Sequence, residues 1–118
     1  MEYLNYIILA LGIGYILWRL MPAKGVNQIT TGELRKVIKD KDKQFVDVRT
    51  VDEFRGNKIS GFKNIPLNEL KEKGNSLNKD KEVVVICQSG MRSSQACRLL
   101  KKMGFKEVTN VKGGMSAW

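Results

Sequence analysis

The stretch VVVICQSGMRSSQ, Val83 to Gln95, decides how this chain is read. An apolar run of three Val and one Ile stops at Cys87. Such a run suits a strand buried on both faces, the usual state inside a parallel sheet. Gly90, Arg92, Ser93 and Ser94 follow. Apolar residues then recur at helical spacing, with Ala96, Leu99, Leu100 and Met103 on one face. The spacing predicts a helix over 93–103, stopped by Gly104. A cysteine therefore ends a buried strand and faces the start of a helix.

That placement favours the thiolate, the nucleophilic form of the side chain. A helix start carries unpaired N–H groups and a partial positive charge. A turn of consecutive amides makes an anion nest. Gly90 lets the loop fold tightly, Arg92 adds a full charge, and Ser93 and Ser94 supply hydroxyl donors and an N-cap. The chain has no histidine, so imidazole is excluded as the activating base. It has two cysteines, Cys87 and Cys97, and no Cys-x-x-Cys pair, so zinc and thioredoxin-type sites lack their ligands. Ten residues of helix span about 15 Å, beyond disulfide reach, so Cys97 reads as core filler.

The 118 residues have room for one domain and a short addition. The net charge of +9 suits nucleic acid, an anionic surface or an anionic substrate. The lysines are scattered and mostly sit beside acids, as at Lys39, Lys41, Lys43, Lys79 and Lys81. That is a solvated surface and not a nucleic-acid arm.

The N-terminus reads as a membrane anchor over 1–22. Tyr3 to Trp18 carries no charge, and Tyr3, Tyr6 and Trp18 flank it as interfacial aromatics do. The apolar stretch is at the short end for a span. Arg19 and Lys24 follow it and no cation precedes it, which would place the rest in the cytoplasm. Pro22 ends the helix, 23–26 is a linker, and 27–118 is the domain.

Within that domain helices and strands alternate. Thr30 to Glu33 and Thr50 to Glu53 are capping boxes, each opening a helix. Residues 44–48 and 107–111 read as strands, and Asn68 to Gly74 as a short capped helix. This order means an α/β sandwich on a mostly parallel sheet. Sites in such sheets form beyond the carboxyl ends of the strands, where Cys87 lies.

The ordered set of segments resembles the rhodanese family. Phe45-Val46-Asp47-Val48-Arg49 with Glu53 is similar to its D-V-R…E segment. Gly61-Phe62-Lys63-Asn64-Ile65-Pro66-Leu67 is similar to its G-A-x-N-I-P-L segment, and Cys87 to Ser93 to its active-site loop. Leu99…Gly104-Phe105 and Gly113-Gly114-Met115…Trp118 also fit. Lys58 stands where the family often has a histidine. The resemblance implies a three-layer sandwich around a mostly parallel sheet and a persulfide on Cys87. Sulfur would pass from a small anionic donor such as thiosulfate, or from a persulfide-carrying protein, to a thiol or cyanide-like acceptor, with no metal or organic cofactor.

The residues agree with that chemistry. Gln88, Ser89, Gly90, Met91, Arg92 and Ser93 would hold the anionic sulfur, and the step is a double displacement. Arg92 either binds an anionic donor or pairs with an acid. Asp47 and Arg49, at the end of their own strand, are supporting residues. Two other readings remain open. A non-catalytic docking module would not need the intact cysteine loop. A cysteine phosphatase or arsenate reductase loop of the C-x-x-x-x-x-R kind holds five residues between Cys and Arg, whereas four stand here.

Overall fold

The computed structural model describes residues 2–20 and 25–118. Helix α1 covers Glu2–Leu20. Then come β1 (Val26–Ile29), α2 (Thr31–Val37), β2 (Lys43–Asp47), α3 (Val51–Gly56) and β3 (Lys63–Asn64). A 3-10 turn, α4 (Leu70–Lys73) and a second 3-10 turn lead to β4 (Glu82–Ile86), α5 (Met91–Lys102), β5 (Val108–Val111) and α6 (Gly114–Ala117). The five strands form one sheet in the order β1-β5-β4-β2-β3, and every pairing is parallel. The predicted α/β class and parallel sheet are present.

Side-chain alternation along the strands gives the sheet two apolar faces. Val83, Val85 and Cys87 join Val46, Val48, Leu70, Ala96, Cys97 and Leu100 on the side of α4 and α5. Val84 and Ile86 join Leu34, Phe45, Phe62 and Met115 on the side of α2 and α6. Both cores meet at β4, whose Val83, Val84, Val85 and Ile86 are buried. This fixes the end of β4 more firmly than any edge strand could be fixed.

Both capping boxes form. Thr30 accepts from the Glu33 amide at 3.1 Å, and Thr50 from the Glu53 amide at 3.2 Å, while each Glu reaches back to its cap. Elsewhere local reading and structure differ. Asn68 lies inside a 3-10 turn (Leu67–Glu69) and makes no side-chain cap there. Gly74 does close α4, as its C-cap, but with a right-handed φ of −61°, and it starts another 3-10 turn (Gly74–Ser76); its small size lets Met103 and Leu70 pack against it. Helix α5 begins at Met91, and its N-cap position is Gly90 at φ +103°, with no side-chain cap from a serine. Strands β1 and β3 and helix α6 lie in segments where alternation was too short to read.

The expected membrane anchor is corrected. No helix among the described residues is long and apolar enough to cross a membrane. At about 1.5 Å per residue, α1 is about 28 Å long and its uncharged run about 24 Å, against a hydrocarbon core of about 30 Å. Glu2 lies within the helix. The single-pass location, the cytoplasmic orientation and the membrane as a partner fall with it. Pro22 and the linker positions 23 and 24 lie outside the described residues, and Val26 already belongs to β1.

Leu34 is fully buried between α2 and the sheet. Leu34→Ala is expected to cost about 2–5 kcal/mol, read as a lower urea midpoint with an unchanged slope.

Candidate active site

Cys87 follows the last residue of the central strand, so β4 carries its sulfur to the carboxyl end of the sheet. The side chain is buried. Two groups stand against its Sγ: the Gly90 N–H donates to it at 3.0 Å, and Ser93 Oγ lies 3.3 Å away. The left-handed Gly90 turns the loop back on the sulfur before α5 begins. Ser93 sits in the first turn of α5, and its buried hydroxyl contacts Gly90 O and Asn110 Oδ1. Gln88, Ser89 and Met91 are exposed, and Met91 is 74% accessible.

The other side of the loop is held by a segment that sequence reading recognised only as a motif. Met115 N–H donates to Cys87 O, and Ser116 N–H to Gln88 O, both at 2.9 Å. Ser116 Oγ also donates to Gln88 O at 2.9 Å. These donors come from the start of α6. Gly114 makes the approach possible, because a Cβ there would lie 2.1 Å from Cys87 O. The Gly-Gly pair in the closing segment was the available signal, though nothing local showed what it would touch.

Arg92 does not point a free charge at the loop. Its guanidinium grips both carboxylate oxygens of Glu53, at 2.6 and 2.9 Å. That pairing holds Glu53 at about 2, well below its ordinary 4.5, with the Thr50 cap bonds adding to the effect. The same contact raises Arg92. The acid that caps α3 thereby ties α3 to the first turn of α5.

Asp47 and Arg49 form a buried pair. Arg49 Nη2 donates to Asp47 Oδ2 at 2.8 Å, and its Nε reaches both carboxylate oxygens at 3.1 Å. Arg49 also donates to the carbonyls of Glu53 and Asn57, which close α3. Asn64 Nδ2 bridges Asp47 O and Arg49 O, both at 3.0 Å. This network fastens β2, α3 and β3 together beside the loop. Lys58 is exposed, with its ammonium over the Phe54 ring at 5.3 Å.

Cys97 shares a buried cluster with Cys87 and forms no disulfide with it; both are free thiols. Burial, with the neighbouring Cys87, pushes the Cys97 thiol up to about 12. No group of three or more potential metal ligands occurs among the described residues.

The family model described as "Rhodanese-like domain" matches residues 30–118. The chain belongs to this family. A sulfurtransferase of Allochromatium vinosum is 35% identical over 94 residues, covering 79% of this chain and 88% of that protein. A rhodanese-like domain protein from Staphylococcus aureus superposes with a TM-score of 0.72 at 36% identity, covering 78% of this chain and 90% of that one. YrkF of Bacillus subtilis, named for a sulfur-carrier role, is 43% identical over 84 residues. That match takes in 71% of this chain, which spans only 45% of YrkF. Relatives named as sulfurtransferases thus share this rhodanese-like fold over nearly their whole length.

Two outcomes follow from this geometry. The folded carboxyl of Glu53 titrates below the unfolded one, so its contribution is present above about 4.5 and lost as pH falls toward about 2. Glu53→Gln is expected to flatten the acid limb of stability across that window in urea titrations. Gly114→Ala meets both a positive φ and the Cys87 carbonyl. It should lower stability by about 3 kcal/mol or more, measured by thermal unfolding.

Proposed function

We propose that this rhodanese-like domain is a sulfurtransferase working through a persulfide on Cys87. The observation that carries the reading is the pair of groups at the sulfur, the Gly90 N–H that donates to it and the Ser93 hydroxyl 3.3 Å away, at the carboxyl end of a strand buried on both sides. In the first half-reaction the Cys87 thiolate attacks the outer sulfur of the donor. With thiosulfate, a new S–S bond forms, the old one breaks, and sulfite leaves with its electron pair. The anionic terminal sulfur is then stabilised by preorganised donors. In the second half-reaction a thiolate or cyanide attacks that sulfur, and Cys87 leaves as thiolate. Atoms and charge balance without an oxidant, and double-displacement kinetics follow.

The loop residues take different parts. Gly90 and Ser93 hold sulfur. Gln88, Ser89 and Met91, being exposed, meet the donor or acceptor. Arg92 serves through Glu53, fixing the loop against α3, and Asp47 with Arg49 supports the same corner. The working domain is 26–118, because Val26 already pairs with Val108 in the sheet, and the helix Glu2–Leu20 is a separate segment before it. A small anionic sulfur donor or a persulfide-carrying protein fits the site, and the sulfur-carrier and sulfurtransferase names of relatives support that class of partner.

Intact-protein mass spectrometry after incubation with thiosulfate tests the reading. A one-sulfur adduct is expected in wild type and in Cys97→Ser, and none in Cys87→Ser. Wild type that never gains sulfur from thiosulfate or from a cysteine desulfurase would favour a docking module.

A further inference from the structure

Asn110 is a buried amide in β5, opposite Val85 on one side and Gln28 on the other. It lies on the α5 side, and its contacts fix its orientation. Ser94 Oγ donates to Gly90 O at 2.8 Å, so its lone pairs face Asn110 and accept from Nδ2 at 3.3 Å. Nδ2 also donates to Gln28 Oε1 at 2.9 Å. The Asn110 oxygen is therefore turned to Ser93 Oγ.

A serine hydroxyl has one proton to give. Gly90 O is also in reach of Ser93 Oγ, at 3.1 Å, but it already receives the Ser94 N–H and the Ser94 hydroxyl. A carbonyl has two lone pairs, and both are taken. Two places remain for the Ser93 proton: Asn110 Oδ1 and Cys87 Sγ. With the proton on Asn110, a Ser93 lone pair faces the sulfur and accepts from the thiol.

From this we infer that Asn110 is a positioning residue for Cys87. Its amide oxygen holds the Ser93 proton while the sulfur is a thiol, and releases it when the sulfur becomes anionic. The inference rests on the sulfurtransferase reading for its purpose, since the same hydroxyl would then serve thiolate and persulfide in turn. Gln28 and Ser94 act at one remove, by keeping the amide from flipping. No covalent bond changes in this step; one hydroxyl rotates between two acceptors.

The test is a double-mutant cycle on Asn110→Leu and Ser93→Ala in the full chain. The rate of Cys87 alkylation by iodoacetamide at neutral pH is followed on the Cys87 peptide, with thiosulfate uptake as a second readout. Asn110→Leu removes the competing acceptor, so alkylation is expected to rise about three- to tenfold, the worth of the one neutral hydrogen bond that wild type must give up. In the Ser93→Ala background the same substitution should leave the rate unchanged. Asn110→Ala gives a second variant with the same expected direction should the leucine fail to fold. An unchanged or slower rate, or an equal rise without the Ser93 hydroxyl, overturns the inference and leaves Asn110 a packing residue. Failure of wild type to take up sulfur would instead strike the transferase reading, while the alkylation rates still decide the role of Asn110.

Discussion

A loop can turn amides toward an anion only if its carbonyls are satisfied elsewhere. Buried polar groups without partners are costly, so this requirement binds the whole site. Here the Cys87 and Gln88 carbonyls are met by the amides of Met115 and Ser116. The donors come from a four-residue helix at the far end of the chain. Their approach leaves no room for a Cβ at Gly114. The geometry at the sulfur therefore depends on contacts between residues 28 positions apart, made possible by one missing side chain.

Charge is arranged by the same economy of contacts. Glu53 caps its own helix and grips Arg92 on the next face of the site. Arg49 neutralises buried Asp47 and closes the end of α3 through two carbonyls. Both arginines are thus committed to acids, and sulfur is met by neutral donors at short range. The Gly90 amide is held by the fold, so it costs little reorganisation when charge develops on the sulfur, and the Ser93 hydroxyl need only turn toward it. In a chain without histidine, this is a workable way to stabilise an anionic nucleophile.

Much of the fold was legible because its signals are local. Two capping boxes, a four-residue apolar strand and a helical apolar face each declare themselves within a few residues, and each appears where its chemistry places it. Strands β1 and β3 are too short to show alternation, and α6 is a single turn that forms against the loop. The choice for Arg92 between donor binding and pairing was equally invisible, since its partner lies 39 residues away. The N-terminal helix was misread because absence of charge was weighed more heavily than length.

The sequence by itself determined the groups on offer: a cysteine at the end of a buried strand, a glycine to turn the loop, two serines after it, and no imidazole. Tertiary structure decided which of those groups touch the sulfur and what holds them there. Gly90 and Ser93 reach it, Arg92 is drawn off by Glu53, and Asn110 is brought beside Ser93 by a parallel pairing. Residue types and short spacings are written in the chain, whereas the direction of a hydrogen bond is set only when distant segments close on one another.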